Sequence, residues 1–565
     1  MLVRSRSGAR RIAAEAGIAL AFAGMAWLLY HPVLRLWWTH DDFYHLRHLI
    51  TGRPGWYLFD ATEYRQLAKV WTPLFFLSFD VDRRLFGLDP RLFYLHHLLV
   101  FCLGPAVLYG VLRLWLPRPW AAVGAWLFLT GPVIASLVSI LMGRHYIEAI
   151  LLAALAVVAW AGALRRTGGG AWRLAWLSAA LYFAASLAKE IAVPLAVLLP
   201  LLPAPAGGRR TDLAARLRLA LPHAAALALY LALRYAALGT LLGGYGFVVT
   251  PSALPAFALA LPGKVAAELL GGRLSPAAVA VSIALAAGTL SLLLLRGRRA
   301  AVLTGLALLA AMLPVLPVST QMEPRYAVPA WIVLSVAFAA GCRALAESGS
   351  RTARRAGAAL AAVACLAGLA LNRQDWRVRF ARIERMSAEN RFLLGMREGD
   401  LLRQPLTLAA SLGELLWMKE SVFHRPPGGR WFQDDLYLCV HRGPLGRVWG
   451  YHPAARRVVD VTARLPELRA RHCSSIRPQA PLSASFRVAG GALFWDLGPY
   501  AEGRYGFVLG DGAMAFEMPR RAGFRLQERA LPLRIKYESP AGWLTYSPEL
   551  RLAIEEGSSL RWRRP

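Results

Sequence analysis

The sequence is poor in charged residues. They make up 18% of its 565 residues, whereas soluble proteins carry about 25%. Lysine is rare among them, because arginine supplies nearly all of the positive charge. The chain also has no Walker loop, no HExxH, no CxxC and no GxGxxG between a predicted strand and a predicted helix. These absences exclude the usual signatures of ATP binding, zinc proteolysis and dinucleotide binding.

Apolar residues are abundant and occur in long runs. They make up 56% of the chain, and the mean hydropathy is +0.41. Runs of roughly 18 residues or more are each long enough to cross about 30 Å of hydrocarbon. The sequence therefore predicts a polytopic membrane protein with an all-α membrane domain in the lipid bilayer. About eleven membrane helices are expected, near 12–31, 92–115, 119–141, 145–164, 172–188, 190–203, 217–238, 277–297, 300–318, 326–346 and 355–371.

Proline interrupts two of these segments. Pro132 and Pro194 each remove a backbone hydrogen bond, which favours a kink. The segment 190–203 is also short for a complete span, and residues 253–271 are apolar enough to lie in the membrane interface or to re-enter the membrane.

The formal charge of +31 does not indicate a nucleic-acid partner. The arginines lie in short clusters between apolar runs, as the positive-inside rule predicts for cytoplasmic loops. Every second loop is basic, which places the N-terminus in the cytoplasm and the chain after residue 371 on the outer face. The excess of arginine over lysine is typical of a GC-rich bacterial genome, so a bacterial inner membrane is the expected location. The basic clusters are near 4–11, 113–118, 165–173, 209–218, 296–299 and 343–355.

A different pattern begins after residue 371. Alternating segments such as "ASFRVAGGALFWDLG" and "RYGFVLGDGAMAFEM" predict strands. Turn pairs separate the segments at Gly428-Gly429, Gly490-Gly491 and Asp511-Gly512. We therefore expect two domains: residues 1–371, a membrane domain with an outer loop at 32–91, and residues 372–565, a mainly β periplasmic domain with a helical lead-in near 376–397.

The five cysteines show no metal-ligand spacing. Cys439 and Cys473 both lie in the predicted periplasmic domain, where they would either form a disulfide or remain separate. The sequence leaves both alternatives open.

Two adjacent carboxylates stand in the first outer loop, within "WWTHDDFYHL". Asp41 and Asp42 are candidates for a general base, which requires a carboxylate held close to a hydroxyl group in a site that excludes water. The alternative is a solvated acidic pair on a loop. Trp37 and Trp38 favour a position at the membrane interface, which favours the functional interpretation.

Three cations are expected close to helix ends on the same outer face. Arg144, Lys189 and Arg325 are candidates to bind a lipid-linked phosphate, because cations near the bilayer are costly unless they have a function or a partner. Each also has a structural alternative. Arg144 can pair with Glu148 one helical turn later, Lys189 can be neutralised by its neighbour, and Arg325 can extend towards the interface.

Five further residues are assigned supporting roles in this site. Glu190 would orient Lys189, Glu323 and Tyr326 flank Arg325, and His145 follows Arg144. His97 lies near the start of the second predicted helix and reaches either the site or a neighbouring group. No metal ligands are assigned, and the sequence leaves open whether a divalent metal takes part.

Several segments together resemble the GT-C class of integral-membrane glycosyltransferases. The likeness is greatest to the tetratricopeptide-bearing transmembrane O-mannosyltransferases and their bacterial relatives, and it covers roughly residues 12–345. It rests on "HDDFYHL", "WTPLFFLSFDVDRRLFGLDPRLFYLHHLLVF", "GRHYIEAILLAALAVVAWA", "SLAKEIAVPLAVLL" and "EPRYAVPAWIVL". The tetratricopeptide repeats are missing, and the β domain takes their place.

The resemblance implies an acidic catalytic residue in the first outer loop and a polyprenyl-phosphate-linked sugar as donor. Asp41 or Asp42 would be the base, and Arg144, Lys189 and Arg325 would lie near the donor phosphate. A hexosyl or pentosyl group would then pass with inversion to an extracytoplasmic acceptor, which is a protein, a lipid or a glycan. A transporter or lipid flippase without transferase activity is the main alternative, and an inactive relative whose outer domain is the working part is a third.

Overall fold

The structure is a computed structural model, and it falls into two compact units. It describes residues 2–39, 41–66, 70–205, 212–241, 254–269, 275–316, 322–395, 434–440, 448–452, 454–489, 492–512, 514–524 and 530–565. The first unit comprises Met1–Leu36, Gly55–Leu242 and Pro255–Ala381, and the second comprises Trp37–Pro54, Gly243–Leu254 and Arg382–Pro565.

The first unit is helical. Its main helices are Leu2–Tyr30, Pro73–Phe86, Pro90–Leu112, Arg118–Leu129, Arg144–Ala163, Gly168–Ala188, Leu221–Leu238, Leu254–Leu269, Pro276–Met312, Val328–Ala346 and the first part of Arg351–Gly395. Shorter helices are Trp56–Phe59, Ala61–Gln66, Ile134–Val138, Leu195–Leu198 and Leu213–Leu219. Short 3-10 turns are His31–Arg35, Leu141–Gly143, Glu190–Ala192, Leu199–Leu201 and Pro324–Ala327.

Seven segments in the described part of the chain are long and apolar enough to cross a membrane, which makes the chain an integral membrane protein. They are Ile12–Arg35, Pro90–Leu112, Leu141–Ala163, Leu221–Leu238, Pro276–Leu316, Pro324–Ala346 and Arg351–Phe392. The predicted helical membrane domain is thereby confirmed. The predicted helices 119–141, 172–188 and 190–203 are not among the seven, and 277–297 and 300–318 lie on either side of the kink at Gly297 within Pro276–Leu316.

The predicted kink at Pro132 is a complete break. The helix Arg118–Leu129 ends at Thr130, and a short helix resumes at Ile134. The Trp331 indole occupies the space beside Gly131, where an added Cβ would lie 2.1 Å from its Nε1 atom. The Asn372 amide donates a hydrogen bond of 2.9 Å to the Gly131 carbonyl, which provides a partner for a carbonyl in the break.

The segment around Pro194 is likewise irregular. It consists of the 3-10 turn Glu190–Ala192, the helix Leu195–Leu198 and the 3-10 turn Leu199–Leu201. Together these form a short apolar element, Glu190–Leu201.

One helix boundary agrees with the prediction and one differs. Residues 277–297 and 300–318 were expected as separate helices, and Pro276–Met312 consists of two helices separated by a kink at Gly297, which has a φ of 73° and a ψ of −168°. The last helix runs without interruption from Arg351 to Gly395. It therefore passes through the predicted domain boundary at 371/372 and includes the expected lead-in helix, because no proline or glycine lies between Gly368 and Gly395.

The second unit contains the sheet-rich C-terminal domain, as predicted. Its strands are β1 Trp449–His452, β2 Arg457–Asp460, β3 Leu482–Ala489, β4 Ala492–Gly498, β5 Arg504–Leu509, β6 Met514–Met518, β7 Arg521–Phe524, β8 Ala530–Glu538, β9 Leu544–Tyr546, β10 Leu550–Ala553 and β11 Ser559–Arg564. One sheet has the order β11-β3-β4-β7, and another has the order β10-β8-β5-β6 with β9 beside β8. All of these pairs are antiparallel.

Side chains from both sheets form one core. Phe486 and Trp495 come from the first sheet, and Phe507, Ile535 and Tyr537 come from the second. The two alternating segments of the sequence form β3 with β4 and β5 with β6, and Asp511-Gly512 lies in the turn between β5 and β6. Gly428-Gly429 and Gly490-Gly491 lie outside the described residues.

A disulfide joins Cys439 to Cys473. It links the short helix Tyr437–Val440 to the helix Leu465–Ser475. The segment before Tyr437–Val440 is fixed to the sheet that contains β8 and β9. The Asp434 carboxylate accepts hydrogen bonds from Lys536 Nζ on β8 at 2.6 Å and from the Tyr546 hydroxyl on β9 at 2.8 Å. Of the two alternatives that the sequence left open, a disulfide or two separate cysteines, the structure shows the disulfide.

We expect Cys439→Ser to destabilise the C-terminal domain. The disulfide closes a sequence separation of 34 residues, and a loop of this size corresponds to about 2–4 kcal/mol of stability. Limited proteolysis of the full-length protein during a thermal ramp, without reductant, would measure the loss. The matched control is Cys365→Ala, which removes a free cysteine. Equal resistance of Cys439→Ser and wild-type protein would contradict the expectation.

Candidate functional site

The basic loops of the helical unit meet at one end of it. Glu15, near the start of the first apolar segment, binds Arg113 at 2.9 Å and Arg118 at 2.8 Å. Arg343 donates to the Trp115 carbonyl at 2.5 Å, and the Trp115 indole donates to the Pro203 carbonyl at 2.9 Å.

Two further contacts extend this end. Arg343 shares Glu347 with Arg296, and Arg216 donates to the Leu202 carbonyl at 2.7 Å. The arginines near 113–118, 216, 296 and 343 therefore lie together, as their alternation along the sequence predicted.

The opposite helix ends hold two of the three predicted cations. Lys189 follows the helix Gly168–Ala188, and Tyr146 lies in the first turn of the helix Arg144–Ala163. Arg325 and Tyr326 precede the helix Val328–Ala346. The Lys189 Nζ atom lies 5.4 Å from the Tyr146 ring centre, and the Tyr146 and Tyr326 rings are 6.4 Å apart. The Arg325 guanidinium carbon lies 5.4 Å from the Tyr326 ring centre. We call Lys189, Tyr146, Tyr326 and Arg325 the tyrosine cluster.

Both cations of the tyrosine cluster have acidic partners adjacent in sequence. Lys189 Nζ lies 3.0 Å from Glu190 Oε1, and Arg325 Nη1 lies 2.6 Å from Glu323 Oε2. The Lys189 side chain is only 1% exposed, whereas Arg325 is 13% and Glu323 46% exposed. Arg325 is therefore the more accessible of the two cations, and Lys189 lies deeper in the protein.

The two predicted histidines are packed inside the helical unit. The His145 ring lies 4.7 Å from the Tyr146 ring and 5.2 Å from the Phe75 ring. The His97 Nε2 atom lies 3.1 Å from the Val138 carbonyl oxygen. His97 therefore follows the structural alternative, in which a neighbouring group satisfies it, and His145 supports the tyrosine cluster by packing.

Arg144 does not join the tyrosine cluster in the way the sequence suggested. Its side chain is fully buried and forms an ion pair with Asp82, rather than the expected pair with Glu148. It also donates to the Phe93 carbonyl at 2.7 Å, and its guanidinium carbon lies 4.6 Å from the Phe79 ring centre. A guanidinium held in this way positions helices and is not presented to a phosphate.

Gly143 allows Arg144 to occupy this position. A Cβ atom at residue 143 would lie 1.8 Å from the Leu137 carbonyl oxygen. Only glycine permits this close approach between the 3-10 turn and the short helix before it.

Sequence reasoning missed the acidic groups that follow residue 79. Asp82 is buried and binds His96 at 2.6 Å in addition to Arg144. Asp80 accepts hydrogen bonds from Arg83 and Arg84. Burial raises the pKa of Asp80, but the hydrogen bonds from Arg83 and Arg84 lower it by a larger amount. The pKa of Asp80 therefore lies below its ordinary value. The available signal was the i,i+3 and i,i+4 spacing of Asp80 with these arginines.

Arg234 was also missed. It is buried in the helix Leu221–Leu238, it donates to the Leu241 carbonyl at 3.2 Å, and its charge acts on Glu190. Sequence reasoning could have found it, because an ionisable residue inside an apolar span is a functional candidate by default.

The two predicted carboxylates belong to the second unit, and they differ from each other. Asp42 is fully buried, and its Oδ2 atom accepts a hydrogen bond of 2.8 Å from the Thr39 backbone. Asp41 is half-buried at the N-cap of the helix Asp42–Thr51, and its carboxylate has no hydrogen bond or ion pair to another described residue. Asp42 is therefore the more buried of the two carboxylates, and Asp41 is the more accessible one.

The backbone around the acid pair is held by the long last helix. Within the second unit, Ser387 accepts a hydrogen bond of 2.6 Å from the Trp37 backbone N–H, and Asn390 donates one of 2.9 Å to the Trp38 carbonyl. These contacts fix the chain immediately before Asp41.

No metal site is found within the described residues. No group of three or more histidine, cysteine, aspartate or glutamate side chains there is arranged to hold a metal ion.

Comparisons with known proteins show only distant likeness. No protein-family model matches the sequence, and no curated protein matches it. The Archaeoglobus fulgidus oligosaccharyltransferase tethered with an acceptor peptide has a TM-score of 0.44 and 14% identity, over 75% of this chain and 64% of that chain. This chain thus spans less than two thirds of that oligosaccharyltransferase.

Two other solved structures are similar to a comparable degree. AglB from Archaeoglobus fulgidus, in complex with an inhibitory peptide and a dolichol-phosphate, has a TM-score of 0.44 and 11% identity over 89% of this chain and 74% of that chain. ArnT from Cupriavidus metallidurans, bound to undecaprenyl phosphate, has a TM-score of 0.34 and 14% identity over 74% of this chain and 86% of that chain. A likeness of this degree assigns no family, activity or substrate. The resemblance to O-mannosyltransferases stays a prediction.

We expect Asp82→Asn to destabilise the helical unit strongly. The substitution leaves the buried Arg144 guanidinium without its anionic partner, and breaking a buried ion pair costs about 3–5 kcal/mol. Thermal unfolding in detergent would measure the change. Asp89→Asn is the control, since Asp89 is an exposed helix cap and asparagine caps equally well. Equal unfolding temperatures for the two variants would contradict the expectation. The double variant Asp82→Leu/Arg144→Met is expected to recover part of the loss, because it removes both charges.

Proposed function

We propose that the protein is a GT-C-type membrane glycosyltransferase that transfers a sugar from a polyprenyl-phosphate donor to an extracytoplasmic acceptor. The observation that carries the proposal is the tyrosine cluster. Lys189 and Arg325 come from connections far apart in the sequence, and the neighbouring rings of Tyr146 and Tyr326 link them at the helix ends opposite the basic loops.

Arg325 binds the donor phosphate in this proposal. A guanidinium group presents parallel N–H donors that match the oxygens of a phosphate. The partial exposure of Arg325 and its position before a membrane helix allow a lipid-linked phosphate to approach from the bilayer. Lys189 adds a second positive charge within the same cluster, and both cations stabilise the negative charge that develops on the departing lipid phosphate.

Asp41 acts as the general base in this proposal. It is half-buried and has no described partner, so it can accept a proton, whereas Asp42 is committed to the Thr39 backbone. The acceptor hydroxyl transfers its proton to Asp41, and its oxygen attacks the anomeric carbon. The bond from that carbon to the phosphate oxygen breaks, and the lipid phosphate leaves. A single displacement of this kind inverts the anomeric configuration, and the phosphoester supplies the driving force without a nucleotide.

The proposed location is a bacterial inner membrane with a cytoplasmic N-terminus and a periplasmic C-terminal domain. The gathering of the basic loops at one end of the helical unit supports this orientation through the positive-inside rule. The Cys439–Cys473 disulfide also supports it, since disulfides persist in the oxidising periplasm and are rare in the cytosol.

A transporter or flippase would place its binding charges differently. Transport folds carry binding sites near the bilayer midplane, at pairs of interrupted helices. The tyrosine cluster lies instead at the ends of helices. It combines the C-terminal end of Gly168–Ala188 with the N-terminal ends of Arg144–Ala163 and Val328–Ala346. This placement favours surface chemistry over passage through the membrane.

Asp41→Asn is expected to reduce sugar transfer by about 10²–10⁴-fold, because it removes the general base. Transfer is measured with purified protein, a mixture of polyprenyl-phosphate sugars and an envelope extract as the acceptor source. The control is Asp42→Asn, whose amide oxygen still accepts the hydrogen bond from the Thr39 N–H, so a much smaller loss is expected. Equal transfer by wild type and Asp41→Asn would eliminate Asp41 as the base, and loss in Asp42→Asn alone would reverse the assignment.

Substitutions at Arg325 and Glu323 are expected to change donor affinity in opposite directions. Arg325→Gln removes a charge-assisted contact and weakens donor binding by about 10- to 100-fold. Glu323→Gln removes the competing carboxylate and tightens binding. Binding of a fluorescent polyprenyl phosphate to detergent-solubilised protein measures both affinities without requiring transfer. Unchanged affinity in both variants, or a change of the same sign, would place the lipid phosphate elsewhere.

A further inference from the structure

The outer face of the β11-β3-β4-β7 sheet carries four exposed arginines; Arg521 on β7 is paired with Asp496, and the other three have no acidic partner among the described residues. Arg487 lies on β3, and Arg561 and Arg563 lie on β11. They point away from the core, because the alternate residues of β3, which include Ala484 and Phe486, are the ones that enter it. We call Arg487, Arg561 and Arg563 the arginine face.

Strand register determines the layout of the arginine face. Arg561 pairs with Ser485, Arg563 pairs with Ser483, and Arg487 pairs with Ser559. The three arginines therefore occupy successive outward rows of the sheet. Because outward residues on a strand are about 7 Å apart, the guanidinium groups follow a line along the strands.

Small polar residues lie beside two of these arginines. Ser485 and Ser483 on β3 pair with Arg561 and Arg563, and they are followed on β4 by Asp496 and Gly498. Asp496 is itself paired with Arg521 at 2.8 Å. Hydroxyl groups therefore flank the two arginines of β11, and Arg487 lies on β3 in line with the serines.

The arginine face differs from the outer face of the other sheet in its counter-ions. Arg504 binds Glu538 at 2.6 Å, Lys536 binds Asp434 at 2.6 Å, and Arg551 lies 3.8 Å from Glu549. Arg487, Arg561 and Arg563 have no acidic partner within the described residues; Arg487 lies 5.7 Å from the Phe494 ring centre. The arginine face therefore carries positive charge that no described acidic side chain compensates.

We propose that the arginine face binds a linear anionic polysaccharide, with its carboxylate or phosphate groups spaced along the three successive rows of guanidinium groups. Charge complementarity selects an anionic partner. Cations spread along a line over successive rows suit a chain with repeated charges better than one small anion. A lipid surface fits less well, because membrane-binding faces add exposed apolar side chains, and the one large apolar residue among the paired outward positions, Phe494, is half-buried beneath Arg487.

The test compares two triple variants of the full-length protein in detergent. The first replaces the arginine face by glutamine (Arg487→Gln, Arg561→Gln, Arg563→Gln). The control replaces three ion-paired arginines of the same domain (Arg464→Gln, Arg504→Gln, Arg551→Gln) and removes the same formal charge. The probe is fluorescently labelled polygalacturonate, with neutral dextran of similar length as the reference polymer.

The first triple variant is expected to bind polygalacturonate about tenfold more weakly, and the control to remain within about twofold of wild type, since exposed charge pairs contribute modestly one by one. Neutral dextran should bind to none of the proteins. Equal loss in both variants would show attraction by net charge alone and overturn the proposal, as would no loss in either.

Two further measurements keep the proposal open to refutation. A lysine triple at the same positions should retain most of the binding, because it preserves the charges; failure there with an unchanged unfolding temperature would contradict the charge-based mechanism. If the glutamine triple loses binding to phosphatidylglycerol vesicles and keeps polygalacturonate binding, the face is a lipid-binding surface and the proposal is wrong. None of these assays involves a donor sugar, so this proposal and the proposed transferase activity fail independently.

Discussion

The cost of burying charge in a low-dielectric interior shapes the helical unit. An ionic group there persists only with a partner, since desolvation outweighs an unmade interaction. Arg144 is accordingly held by Asp82, and Lys189 by Glu190. The Arg144–Asp82 pair also aligns two segments that are far apart in the sequence, because an ion pair has a defined geometry whereas apolar surfaces are non-directional.

The same constraint separates structural cations from those suited to bind a ligand. Arg144 has its ion pair, its carbonyl contact and its aromatic neighbours inside the protein, so its binding capacity is used within the fold. Arg325 retains an exposed edge and a half-exposed acidic partner. Burial and partner exposure therefore distinguish two arginines that look equivalent in the sequence, where each simply precedes a membrane helix.

The sequence was informative wherever a property repeats along the chain. Apolar runs predicted the helices, alternation predicted β3 to β6, and the periodic arginine clusters predicted which loops meet. It was less informative where a single distant contact decides the outcome. Asp82 lies 62 residues before Arg144, so the local i,i+4 spacing pointed to Glu148 instead. The unequal burial of Asp41 and Asp42 likewise depends on the position of the Thr39 backbone, which bonds to Asp42. The sequence shows only two adjacent aspartates and does not distinguish them.

The carboxylates beside Lys189 and Arg325 act as resident counter-ions, so the tyrosine cluster carries little net charge before a ligand arrives. Chloride and free phosphate, which are abundant in any aqueous compartment, are therefore poorly attracted to it. If the cluster binds the donor phosphate as proposed, that phosphate must displace or share Glu323, and another part of the same molecule must then contribute binding free energy. A long hydrocarbon tail in the bilayer makes such a contribution. The exposed Glu323–Arg325 pair would thus act as a selectivity barrier that admits membrane-anchored phosphates and rejects soluble ones.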